Sequence, residues 1–124
     1  MTNVDIDLLV SQLGRKMKTV EKPWGKEIWF AQTDKYVGKL IYVNQGTRLS
    51  LQFHNVKDET LLFLHGVAKV TVGKEERIVT ADTIRITPKT LHRIFAVTDL
   101  VIVEVSTPEV DDVVRVEDDY GRAQ

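Results

Sequence analysis

The chain contains no cysteine. Thiolate metal sites and disulfide staples are therefore excluded, and nothing marks an oxidising compartment. Three prolines and seven glycines in 124 residues are too few for a low-complexity or collagen-like chain. No apolar run approaches the roughly 20 residues of a membrane-spanning helix. The N-terminus has no basic segment followed by an apolar stretch, so no signal peptide is expected. Neither sign of charge is in surplus: 17 basic and 18 acidic residues leave a net charge of −1. That removes the general field which selects nucleic acid or acidic membranes, and neither is expected as a partner. These absences point to a soluble cytoplasmic protein.

What is present is ordinary in amount and informative in order. Hydrophobic residues make up 43% and charged residues 28%, enough for one domain with a core that needs no disulfides. Ile6, Leu9, Val10 and Leu13 fall at helical spacing within residues 4–17, and Gly14 offers a stop. Residues 1–18 are thus expected to form a short helix or arm. Pro23 and Gly25 mark a turn in Lys22–Gly25. Strand-like segments follow at 27–30, 36–43, 47–54, 60–65, 67–72, 76–79, 83–87, 92–97 and 100–106. Turn residues separate them, including Gly46, Gly66, Gly73-Lys74 and Pro88-Lys89-Thr90. Many short strands with no long helical period predict an all-β sandwich or barrel over residues 19–107. By composition alone, residues 108–124 read as an acidic, solvated tail.

The polar residues between Gly46 and Gly66 break the expected pattern. Strand alternation puts Arg48, Ser50, Gln52 and His54 on one face and Leu49, Leu51 and Phe53 on the other. A buried polar face is costly unless it lines a site. Glu59 lies five residues beyond His54, across a turn, and His92 opens a later strand. Gln52, His54, Glu59 and His92 together offer oxygen and nitrogen donors without sulfur. That set suits one divalent ion, with zinc taken first and manganese, iron, nickel or cobalt as alternatives. A lone histidine in a β-protein is more often a hydrogen-bonded structural residue, and His65, beside Gly66, is read that way.

Gly46, Gln52, His54, Glu59 and Gly66 fall on the first cupin motif, G-x5-H-x-H-x3,4-E-x6-G, with Gln52 at the first histidine. On the second motif, G-x5-P-x-G-x2-H-x3-N, stand Ala81, Thr87, Lys89, His92 and Ala96, so only the histidine is retained. Further segments narrow the resemblance: Lys22–Gly25; Lys39, Ile41 and Val43; Leu49-Ser50-Leu51-Gln52 with His54; Gly66, Ala68 and Val70; and Asp112–Arg122, DVVRVEDDYGR. Over residues 19–122 the chain resembles the type II phosphomannose isomerase domain of the cupin superfamily. Two positions depart from that pattern: Lys57 replaces an arginine and Leu61 a tryptophan.

The resemblance implies a small antiparallel cupin β-barrel (jelly roll) with the metal in its mouth. Residues 108–124 would fold back over it. It implies a metal-dependent isomerase that interconverts mannose 6-phosphate and fructose 6-phosphate, with Gln52, His54, Glu59 and His92 as metal ligands. Lys57, its pKa lowered by the ion, and Arg122 are the expected catalytic groups. Arg48, Ser50 and Tyr120 are expected to contact substrate, and Arg115 and Asp118 to brace the tail. GTP-dependent chemistry is not expected, because nothing here resembles a nucleotidyltransferase. Free strand edges in so small a barrel predict a homodimer. Two alternatives stay open: a sugar-phosphate-binding module without turnover, or another cupin enzyme such as an epimerase or a dioxygenase. Gln52 argues against the dioxygenase, since those enzymes usually keep three histidines.

Overall fold

A computed structural model describes residues 5–123. Residues 1–4 of the expected arm lie outside the described residues. The elements in chain order are α1 (Ile6–Lys16), β1 (Lys18–Lys22), β2 (Gly25–Gln32), β3 (Val37–Val43), β4 (Leu51–Phe53), β5 (Glu59–His65), β6 (Ala68–Val72), β7 (Glu75–Val79), β8 (Thr83–Ile86), β9 (His92–Ala96), β10 (Leu100–Ser106) and β11 (Val114–Glu117). The strands form two antiparallel sheets, β1-β2-β3-β10-β5-β8 and β11-β4-β9-β6-β7. The all-β expectation holds. The fold is a cupin barrel in which the two sheets face each other across the core.

The helix follows its local signals at the start and overruns one at the end. The Asp5 carboxylate caps it by accepting from the Leu8 amide at 3.0 Å. Asp7 in the first turn and Arg15 and Lys16 in the last suit the helix dipole. Gly14 does not end it, and the helix continues to Lys16. A single glycine costs a helix only about 1 kcal/mol. Burial of Val10 against Ile28, Leu40 and Val101, on the outer face of the first sheet, outweighs that.

Two strands lie outside the segments expected from the sequence. Lys18–Lys22 pairs with β2 through the turn at Pro23-Trp24. Val114–Glu117 pairs with β4, so the acidic tail becomes the edge of the second sheet. Neither segment is apolar enough to be recognised alone; each is made a strand by the neighbour it pairs with.

The two glycines that bracket the ligand stretch have the backbone that selects them. Gly46 has φ 81° and Gly66 φ 91°. A side chain at Gly66 would also overlap the Asp99 carbonyl oxygen. In the second cupin motif, Ala81 and Lys89 stand where the pattern has glycine. They keep the left-handed backbone at φ 50° and 66°. The motif has thus lost its glycines and kept the left-handed backbone at both positions, at about 1 kcal/mol or more for each residue. The Lys89 turn earns its conformation by donating its amide to the His54 carbonyl.

Candidate metal centre

Three ligand groups converge inside the barrel. His54 follows β4, Glu59 opens β5 and His92 opens β9, and their ligand atoms all lie within 4.8 Å of one another. All three are buried, at 4%, 4% and 2% exposure. Glu59 Oε1 lies 3.2 Å from His54 Nε2 and 3.3 Å from His92 Nε2. The rings stand 5.1 Å apart.

The other ring nitrogens determine what this cluster can hold. His54 Nδ1 faces the Asp112 carbonyl, and His92 Nδ1 lies 2.9 Å from the Thr90 carbonyl. A carbonyl only accepts, so each Nδ1 carries the proton and donates it. In neutral imidazoles both Nε2 atoms then present lone pairs toward the Glu59 carboxylate. Three electron-pair donors meeting without a proton between them in a buried pocket call for a cation. Histidine anchored through its second nitrogen is the usual arrangement at a metal. These residues fit a divalent ion.

Gln52 stands opposite His92 in the register of β4 and β9 and lines the same cavity. Its amide oxygen accepts from Ser50 Oγ at 3.1 Å. Ser50, Gln52 and His54 thus share the inner face, as alternation predicts. Arg48 does not. Residues 49 and 50 fall outside the regular strand, and Arg48 makes an isolated bridge to Phe95. Leu49 turns inward onto the core instead. Arg48 points outward, 42% exposed, and donates two 2.7 Å bonds to Asp119. One irregular step reverses the side of every residue before it.

Lys57 is buried, with Nζ 3.4 Å from Glu59 and 3.2 Å from Glu104. Burial disfavours its ammonium, yet the Glu104 and Glu59 carboxylates more than offset this and raise its pKa. The lowering expected from a bound ion would act against these two carboxylates. Burial likewise opposes ionisation of Glu59. The charge of the adjacent Lys57 ammonium counters it, and the carboxyl is held below its usual range. Glu104 moves the other way: burial and the adjacent Glu59 charge push it up.

Asp112 organises the approach to His54, a role that sequence reasoning missed. Its carboxylate accepts from the amides of Asn55, Val56 and Lys57 at 3.0, 2.6 and 2.9 Å. Its backbone carbonyl orients the His54 ring. The available signal was an aspartate at the head of the YGR segment, where the turn at 55–57 has amides and no acceptor of its own. Farther along, Arg122 lines the cavity. Its guanidinium and amide bind the Asp118 carboxylate at 2.7–3.0 Å. Tyr120 is 38% exposed and does not line the cavity. As a contact of the Arg122 guanidinium, at 5.8 Å, it braces the tail and is no pocket wall. The cavity itself measures about 440 Å³, with Leu61, Ile41 and Ile94 along its wall.

Comparison with known proteins agrees with this geometry. Residues 11–118 match the family described as "Mannose-6-phosphate isomerase C-terminal". Xanthan biosynthesis protein XanB of Xanthomonas campestris pv. campestris is 32% identical over 131 residues, covering 95% of this chain and 28% of its own. Mannose-1-phosphate guanylyltransferase ManC of Salmonella typhimurium is 34% identical over 111 residues, covering 85% of this chain and 23% of its own. The chain spans between 14% and 28% of the length of the curated relatives it matches. Among solved structures, KdgF from Halomonas sp. superposes with a TM-score of 0.72 at 17% identity, over 78% of this chain and 91% of that one. An RmlC-like cupin from Shewanella frigidimarina gives 0.71 at 15%, over 79% and 89%. At such identities these two likenesses speak for the fold. No helix among the described residues is long and apolar enough to cross a membrane.

Proposed function

The chain belongs to the mannose-6-phosphate isomerase C-terminal family, and on that premise we propose that it is a metal-dependent aldose–ketose isomerase that interconverts mannose 6-phosphate and fructose 6-phosphate. The observation that carries this reading is the buried His54, Glu59 and His92 cluster, flanked by Gln52, in a cavity rich in cations.

The reaction moves a proton from C2 to C1 of the open-chain sugar and another from O2 to O1, so the carbonyl passes from C1 to C2 with no external oxidant. A divalent ion held by Gln52, His54, Glu59 and His92 would polarise the sugar oxygens as a Lewis acid. Lys57 is the ammonium in contact with the ligand cluster, suited to donate a proton to the developing oxygen anion. Arg122, bound to Asp118, holds the C-terminal segment against the same cavity. Ser50 and its bond to Gln52 position the amide. Leu61 and Ile94 give the cavity an apolar wall.

A coupled assay of mannose 6-phosphate isomerisation tests the proposal. Turnover is expected from zinc- or manganese-loaded protein and is expected to vanish with chelator. No turnover by protein of verified metal content would sink it. One observation favours a second reading, a sugar-phosphate-binding module: Lys57 is held by two buried carboxylates, and Leu61 stands where the family resemblance has tryptophan. Calorimetric binding without isomerisation would select that reading.

A further inference from the structure

Seven basic side chains line the cavity against four carboxylates among the described residues. Four of the seven already have partners. Lys39 pairs with Glu27 at 3.4 Å, and Lys57 with Glu59 and Glu104. Arg122 pairs with Asp118, and Arg93 lies 3.7 Å from Glu117. Lys18, Lys22 and Arg115 line the cavity without an ion pair among the described residues. Of the four carboxylates only Asp111, exposed on the same rim, is likewise free. The unneutralised charge at this cavity is therefore positive, and it is localised.

Its location is specific. Lys18 and Lys22, with Val20 between them, fall on one face of β1, the edge strand of the first sheet. Arg115 is on β11, the edge strand of the second. Lys18 Nζ lies 4.1 Å over the Trp29 ring, an aromatic contact that holds the ammonium beside the cavity without neutralising it. Arg115 stands opposite Gln52, and Gln52 opposite His92, so a row of three side chains crosses β11, β4 and β9. Two inter-strand spacings put Arg115 about 10 Å from the His92 position. An open-chain hexose spans a distance of that order from its first two carbons to a phosphate on its sixth.

We propose that the two free edges, β1 and β11, form an anion subsite in which Arg115, helped by Lys18 and Lys22, takes the phosphate of the sugar. The proposal rests on the sugar-phosphate reading above and deepens it. Arginine suits the role because its planar fork meets two phosphate oxygens at once, while the lysines act as point charges. Arg122 then serves as a positioning residue: its guanidinium is already committed to Asp118, and it holds the tail that carries Arg115.

The test is calorimetric titration of the zinc-loaded full chain with mannose 6-phosphate, inorganic phosphate and unphosphorylated mannose. The variants are Arg115→Gln, Arg115→Lys, Lys18→Gln with Lys22→Gln, and Arg122→Gln, each checked by thermal melting. Arg115→Gln is expected to weaken both phosphate-bearing ligands about tenfold or more and to leave mannose unaffected. Arg115→Lys recovers part of the loss. The lysine pair gives a smaller loss and a flatter salt dependence; if Arg115→Gln fails to fold, this pair on the edge strand decides. Wild-type phosphate affinity in the Arg115→Gln or lysine-pair variant overturns the subsite. So does a larger loss in Arg122→Gln than in Arg115→Gln, or no phosphate-dependent binding at millimolar concentration. Turnover separates this inference from the isomerase reading. Phosphate binding through Arg115 without turnover keeps the subsite and removes the isomerase. Turnover with full phosphate affinity in Arg115→Gln does the reverse.

Discussion

The two ends of the barrel interior are made by the same strands and differ in every respect that matters chemically. On β10, Leu100 and Ile102 lie at one end and Glu104 and Ser106 at the other. On β5 the corresponding series is Phe63, Leu61, Glu59, on β3 Val43, Ile41, Lys39, and on β9 Ala96, Ile94, His92. The register aligns them, with Ile102 between Ile41 and Phe63, and Glu104 opposite Lys39. Phe63, Ile102, Leu100, Val43 and Ala96 are fully buried. The closed end buries apolar surface and supplies the folding energy. The other end buries Lys39, Lys57, Glu59, Glu104, His54 and His92. Buried ion pairs return little net stability, since losing water costs each charge about as much as its partner restores. Stability and chemistry are therefore housed apart, and the apolar end lets the polar end be costly.

Substitutions at each end should separate them. The largest effect on stability is expected from Phe63→Ala at the closed end. Loss of a fully buried aromatic should cost about 3–5 kcal/mol in chemical denaturation, with metal affinity of the folded fraction unchanged. A coincident loss of metal affinity would show that the two ends are coupled. Glu59→Gln should act in the opposite sense. Metal affinity should fall by about 100-fold or more, beyond the 10- to 100-fold usual for an outer partner of a ligand. The metal-free protein should melt far closer to wild type than Phe63→Ala does, because Lys57 keeps Glu104 as a partner. Elemental analysis and thermal melting of the same samples measure both.

The smallest effect lies in the tail. Hydrogen bonds from the Arg122 side chain, and then from its amide, outweigh burial and bring the Asp118 carboxyl from the ordinary 3.8 to about 2. A folded pKa below the unfolded one means that this contact contributes fully above about pH 4 and is lost as pH falls through 2. NMR titration of the Asp118 carboxyl should find a midpoint near 2 in the wild type, moving back toward 3.8 in Arg122→Gln. An unmoved midpoint would mean that the tail is held by something other than this pair.

Much of this molecule could be read from local pattern. Strand-like segments between turn residues gave nine of the strands, and the spacing from Gly46 to Gly66 with His92 gave the three convergent candidate ligands, because a metal site needs particular atoms on particular faces. Strand alternation misplaced Arg48, since a single irregular step at residues 49 and 50 leaves no mark in composition. It also read Lys57 with half of its surroundings. Glu59 is two residues away, but Glu104 arrives from β10, and only the pairing of strands brings its carboxylate to the ammonium.

The stretch from Gly46 to Gly66 and His92 thus determined by itself that a metal could be held here: two turns and an alternating strand are short-range facts. Tertiary structure alone decided which charges were left over. Arg122 carries the family signature, yet Asp118 occupies it. Arg115 looked like a brace, yet no carboxylate meets it among the described residues. Whether a charge is neutralised depends on what the rest of the chain places within a few ångströms, and the Coulomb energy that decides it is summed over space and not along the sequence.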